Sequence, residues 1–114
     1  MEWTGVSVLE RRRGSLHEVL LRGSVVRVLI TFHAQERMAR WQISEEAVLQ
    51  ALFFPEEVVR GHRGRYIAHR QEGRHVVRVV YEYDGPLPVV GTVYRPLAER
   101  YFKGGGTYED RICP

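Results

Sequence analysis

Residues 34–59 read A-Q-E-R-M-A-R-W-Q-I-S-E-E-A-V-L-Q-A-L-F-F-P-E-E-V-V, and the spacing of their apolar residues changes at Pro55. Before the proline, Ala34, Met38 and Trp41 recur at i, i+4 and i+7, which predicts a helix with one apolar stripe. His33, Arg37 and Arg40 repeat that spacing one residue earlier and predict a cationic stripe beside it. Ser44 is the expected N-cap of a second helix. Glu45 and Glu46 suit its positive end, and Ile43 with Val48 has the spacing of a hydrophobic staple. Its inward residues would be Val48, Leu49, Leu52 and Phe53, and Pro55 ends it. After the proline, Val58 and Val59 open an extended region.

Downstream the period is two. Arg65 to Gln71 and Arg74 to Tyr83 flank Glu72 and Gly73, the length and chemistry of a tight hairpin turn. Within the second strand Val77, Val79, Tyr81 and Tyr83 share one face, and Arg78 and Glu82 share the other. A second turn over Asp84 to Pro88 leads to a strand from Val89 to Tyr94. Upstream, Val25 to Phe32 reads as a strand ending at His33. The first 24 residues hold no sustained period and are read as an N-terminal extension, 1–24, ahead of a domain over 25–114. Ser15 and Glu18 have capping-box spacing there, which predicts a helical turn over Leu16 to Leu21. The expected class is α+β, with two N-terminal helices packed on a roughly four-stranded antiparallel sheet.

The chain has 114 residues, 44% hydrophobic and 27% charged, enough apolar material for one core and too little bias for a disordered chain. No apolar run approaches the ~18 residues of a membrane span, and no apolar stretch of secretory type follows Arg11–Arg13. The expected location is the cytoplasm. The single cysteine, Cys113, excludes an internal disulfide and a cysteine zinc cluster. Lys103 is the only lysine among 17 basic residues. That arginine dominance suits phosphate, which the planar guanidinium binds bidentately.

The densest basic stretch holds Arg60, Arg63, Arg65, Arg70, Arg74 and Arg78 against Glu72 alone. Such a surface is either solvated or a groove for a polyanion, with Tyr66 stacking on a base. His62, His69 and His75 in the same stretch match no zinc spacing, so no metal and no cofactor is expected. There is no P-loop, dinucleotide fingerprint or nucleophile elbow. Gly104–Gly106 is either a flexible loop or a close approach to a phosphate. His33 is the best single candidate for acid–base work, because a helix start favours the neutral imidazole that a base needs. The alternative is an imidazole hydrogen-bonded at a strand-to-helix junction.

Thr31 to Val48, T-F-H-A-Q-E-R-M-A-R-W-Q-I-S-E-E-A-V, is similar to the opening of an uncharacterised bacterial domain family with an H-A-x-x-R-M-x-x-R-x-I-S-x-E-x-V signature. The similarity continues through Pro55, R-V-V-Y-E at Arg78–Glu82, T-V-Y at Thr92–Tyr94 and R-Y-F-K-G-G-G-T-Y-E-D-R-I at Arg100–Ile112. Trp41-Gln42 stands where members commonly show Arg-Gly. Such domains resemble the RelE and barnase/EndoU/colicin ribonuclease group, in which N-terminal helices pack on a four-stranded antiparallel sheet.

That resemblance implies a toxin-like endoribonuclease of a toxin–antitoxin system, cleaving RNA without metal and paired with an antitoxin protein. In that reading His33 is the base, Arg78 and Arg95 hold the phosphate, and Arg37 assists beside His33. Tyr94 or Tyr101 stacks on the base or donates a proton, and Lys103 approaches over the glycine loop. The other readings are a non-catalytic RNA- or ribosome-binding module and a protein-interaction domain.

Overall fold

The computed structural model describes residues 3–112. In chain order the elements are β1 (Trp3–Glu10), β2 (Gly14–Leu21), β3 (Ser24–Thr31), α1 (Phe32–Trp41), α2 (Glu45–Phe53), β4 (Glu57–Arg60), β5 (Tyr66–Glu72), β6 (His75–Asp84), β7 (Leu87–Tyr94) and α3 (Ala98–Tyr101). The strands form one sheet in the order β1-β2-β3-β7-β6-β5-β4. Every neighbouring pair is antiparallel except β3 and β7, which run parallel where Leu29 and Ile30 face Val89 and Val90.

This corrects the expected architecture. The sheet is seven-stranded and mixed, and α1 and α2 lie in mid-chain between β3 and β4. Strands β4 to β7 form an antiparallel meander, but β1 to β3 extend it across the parallel junction. A parallel pair needs a long crossover, here everything from α1 to β6, and no local period reports such a distant pairing.

Leu16 to Leu21, expected as a helical turn, is strand. The inward residues of β2 are Ser15, His17, Val19 and Leu21, so two of these four are polar and the period of two has no apolar signature. Ser15 is matched by partners on β1 and α1, and His17 Nε2 lies 3.9 Å from Glu45 Oε1 of α2. Ser15 Oγ donates to Glu10 Oε1 at 3.1 Å, and Gln35 Nε2 of α1 donates to Ser15 Oγ at 3.1 Å and to Ile30 O at 3.0 Å. Burial of Ser15 is tolerated because its hydroxyl is hydrogen-bonded.

Both main helices carry side-chain caps. Thr31 Oγ1 accepts from Ala34 N and Ser44 Oγ from Ala47 N, each at 3.1 Å. The Thr31 cap starts α1 earlier than expected, so His33 sits inside its first turn. The core gathers round α2, whose Val48, Leu49, Ala51, Leu52 and Phe53 are buried. Trp3 of β1 and Val58 of β4, on strands at opposite edges of the sheet, belong to the same cluster; the sheet therefore coils round α2. Trp3 meets Phe53 edge-on with ring centres 5.8 Å apart.

On β6, Val77, Val79 and Tyr81 are buried against this core. Tyr83, expected with them, is exposed, and its hydroxyl donates to Asp110 Oδ2 at 2.7 Å beside that of Tyr81 at 2.6 Å. Trp41, expected in the buried stripe of α1, is 39% exposed. Arg78, Val80 and Glu82 alternate onto the opposite, open face of the sheet. One bank of that face is α1, and the other is α3 with the segment after it. None of the described helices is long and apolar enough to cross a membrane. Cys113 lies outside the described residues.

Candidate functional site

Strand register assembles the site. Glu57 of β4 faces His69 of β5, His69 faces Arg78 of β6, and Arg78 faces Tyr94 of β7. Directly opposed residues share a sheet face, so four polar side chains form a transverse row across the open side. Two of them are completely enclosed: Glu57 and His69 are each 0% exposed.

Hydrogen bonds fix the protonation along the row. A guanidinium has donors only, so Arg78 Nη1, 3.0 Å from His69 Nε2, requires a lone pair there. The imidazole proton is then on Nδ1, which donates to Glu57 Oε2 at 2.6 Å. The carboxylate also accepts from the backbone N–H of Lys103 at 2.9 and 3.1 Å and of Gly105 at 3.0 Å. Burial pushes the Glu57 carboxyl up, but these donors outweigh it and hold it below the usual carboxylate range. Burial keeps His69 below the usual imidazole range, with Arg78 adding to the effect and Glu57 opposing it. The row thus reads carboxylate, neutral imidazole, guanidinium.

Gly104, Gly105 and Gly106 all adopt positive φ, at 97°, 86° and 82°, which glycine alone tolerates in succession. The loop wraps the Glu57 carboxylate, so its anion is internal. A Cβ at Gly105 would meet Glu56 O at 3.3 Å. Phe102 closes the row from above, edge-on to His69 at 6.5 Å between ring centres.

The outlet of the row is Arg78. Its guanidinium carbon lies 4.1 Å from the centre of the Tyr101 ring, a cation–π contact. It opens into a cleft of about 310 Å³ lined by Trp41, Arg78, Tyr94, Pro96, Arg100 and Tyr101. A second hollow of about 270 Å³ adjoins it, lined by His33, Arg65, Val80, Glu82, Gly91, Thr92 and Tyr94. Tyr94 borders both. The bulge that puts Gly91 into β7 opposite the Val80–Tyr81 step keeps Thr92 and Tyr94 on this face.

The structure therefore brings His33, Arg78, Tyr94 and Tyr101 to one surface. Lys103 joins it through its backbone N–H. Arg37 lies beside His33, with its Nε donating to His33 Nε2 at 3.5 Å. Arg95 belongs elsewhere: its Nη2 donates to Gln42 O at 3.1 Å and its Nε lies 3.5 Å from Glu72 Oε1, so it closes the end of α1.

The basic stretch is divided among several surfaces. Arg65 lines the second hollow. Arg60 ion-pairs with Glu109 at 3.6 Å and lies over Tyr66, whose ring packs against Tyr81 and Tyr83 instead of standing free. Arg70 Nη1 donates to Phe54 O at the end of α2. Arg63 is exposed in the β4–β5 loop with φ of 59°, and Arg74 lies beside α3. Among the described residues no three His, Cys, Asp or Glu side chains gather as metal ligands.

Sequence spacing does not point to Glu57, Trp41 or Arg100 as site residues, and it offers His69 only as a metal ligand of no matching pattern. Local spacing carries no signal for Glu57 or His69, since Glu57 follows Glu56 at the start of β4 and His69 is followed by Arg70, Gln71 and Glu72 in β5. A family model spans residues 30–95, more than half of the chain, from the end of β3 to the end of β7. The chain belongs to the family of the domain of unknown function DUF4258. The DUF4258 segment holds His33, Glu57, His69, Arg78 and Tyr94; Tyr101 and the glycine loop lie beyond it. No curated protein and no solved structure matches the chain.

Proposed function

We propose that this DUF4258 domain binds single-stranded RNA across its open face and cleaves it without metal, as a toxin-like endoribonuclease neutralised by an antitoxin protein. The observation that carries the reading is the Glu57–His69–Arg78 row, which aims an oriented guanidinium into a cleft walled by Trp41, Tyr94 and Tyr101. Guanidinium groups take phosphate bidentately, and aromatic rings stack on bases of any sequence. Arg100 adds a second cation in the same cleft.

In this mechanism Arg78 holds the scissile phosphate. His33 takes the proton from the ribose 2′-hydroxyl as its oxygen attacks phosphorus. The bond to the 5′-oxygen breaks, and that oxygen takes a proton from Tyr94. The products are a 2′,3′-cyclic phosphate and a 5′-hydroxyl. Arg78 stabilises the negative charge that builds on the phosphoryl oxygens.

The test is cleavage of labelled RNA by the full chain in EDTA. Cyclic-phosphate ends are expected, with His33→Ala and Arg78→Ala each lowering the rate by about 100-fold or more. No product from total RNA or from translating ribosomes would overturn the cleavage reading.

One observation favours a second reading, a non-catalytic RNA- or ribosome-binding module. The His33 lone pair that would act as base already accepts from Arg37. Arg78-dependent, salt-sensitive affinity without product would decide for that module.

A further inference from the structure

We infer that the hollow beside the Arg78 cleft is a nucleobase subsite selective for guanine; this rests on the RNA reading above. The hollow has the volume of a single heterocycle with its solvent, about 270 Å³. Val80 forms its apolar floor and Tyr94 one wall. Thr92 and Glu82 carry its free acceptors. Thr92 Oγ1 is buried without a hydrogen bond. The side chain of the half-buried Glu82 makes no hydrogen bond or ion pair with the other described residues. Buried polar groups are normally satisfied; a bound polar edge would satisfy the Thr92 hydroxyl and replace water on the Glu82 carboxylate.

The chemistry of that edge follows from Glu82. An ionised carboxylate only accepts, through two oxygens side by side. Among the four RNA bases only guanine presents two adjacent N–H donors on its Watson–Crick edge, at N1 and N2. Adenine and cytosine offer one amino group beside an acceptor nitrogen. Uracil offers one N–H between two carbonyls. Guanine O6 lies next to N1–H and needs a donor, which Arg65 or the Thr92 hydroxyl supplies from the same hollow.

Placement along β6 fits one nucleotide. Arg78 and Glu82 share a face four residues apart, roughly 13 Å along the strand, with Val80 between them. A guanine seated over Val80 with its edge at Glu82 sends its 3′-phosphate toward Arg78. Its ribose then passes His33 and Tyr94, which border the same hollow. Cleavage would leave guanosine 2′,3′-cyclic phosphate ends.

The test uses the full chain in EDTA and short fluorescent uridine-rich RNAs carrying one G, A, C or inosine. Every 2′-hydroxyl is O-methylated so that binding is read without cleavage. The G oligonucleotide is expected to bind roughly 5- to 150-fold tighter than the A and C versions, as one bidentate base contact provides. Inosine, which lacks the 2-amino group, should fall between them. Glu82→Gln should abolish the preference while keeping Arg78-dependent affinity. Equal affinity for all four oligonucleotides, with binding still dependent on Arg78, overturns the guanine assignment alone. An equal loss for all four in Glu82→Gln overturns it as well, and the inosine comparison needs no variant to fold. Absence of Arg78-dependent binding to every RNA overturns the RNA reading and this subsite together.

Discussion

Replacing Glu57 by Gln keeps the shape of the side chain and removes its charge, and the hydrogen-bond row shows why that should be severe. The carboxylate accepts from His69 Nδ1 at 2.6 Å, from Lys103 N at 2.9 Å and from Gly105 N at 3.0 Å, in full burial. A glutamine has one oxygen and one NH2. Facing its NH2 toward His69 sets two donors against each other, and facing it toward the loop does the same with the backbone N–H groups. If His69 moves its proton to Nε2, the clash passes to Arg78. No arrangement satisfies every group. Leaving one buried donor unpaired costs about 1–3 kcal/mol, and loss of a charged partner raises the total to about 3–5 kcal/mol. For a chain of this size that lowers Tm by roughly 12–20 °C. Thermal unfolding followed by circular dichroism reads this directly. A midpoint within about 2 °C of the wild type would refute the account of the row.

Acidification should act on the same row. Both Glu57 and His69 are held below their ordinary ranges, so the unfolded chain takes up protons first and stability is lost as pH falls. The loss should begin near the free imidazole value of about 6.5 and continue through the carboxyl range; a urea midpoint that is flat or rising from pH 7.5 to 5.0 would contradict this. Val79→Ala should cost roughly 1–3 kcal/mol, measured by urea unfolding, because Val79 is fully enclosed in the core. Gly105→Ala should destabilise by about 1–3 kcal/mol, since φ is 86° and the new Cβ meets Glu56 O; the same urea experiment checks it. Tyr101→Ala should weaken single-stranded RNA binding by about 1–3 kcal/mol in a fluorescence titration, if its ring stacks on a base.

How much of the site was legible turns on one residue of register. With Glu72 and Gly73 as the turn, Gln71 would face Arg74 and His69 would face Val76. The observed turn is Gly73-Arg74, which sets Glu72 opposite His75 and His69 opposite Arg78. Both strands and the hairpin between them are plain from the period of two. The partner of a given side chain is not, because moving a turn by one residue moves every pairing by two. Glu57 was harder still, since its role needs β4 docked on β5 and the glycine loop folded back over it.

Local spacing alone determined the two helices with the Ser44 cap, the hairpin strands, and the inward set Val77, Val79 and Tyr81. Each depends on residues within a few positions of one another, where periodicity reports which side faces the core. Only tertiary structure decided that β3 pairs in parallel with β7, that β1 and β2 join the sheet, and that Arg70 and Arg95 turn away from the open face. Those outcomes depend on backbone hydrogen bonds and carbonyl partners far along the chain. Arg70 meets Phe54 O and Arg95 meets Gln42 O, and an arginine bound to a distant carbonyl carries the same one-letter code as an arginine free to bind phosphate.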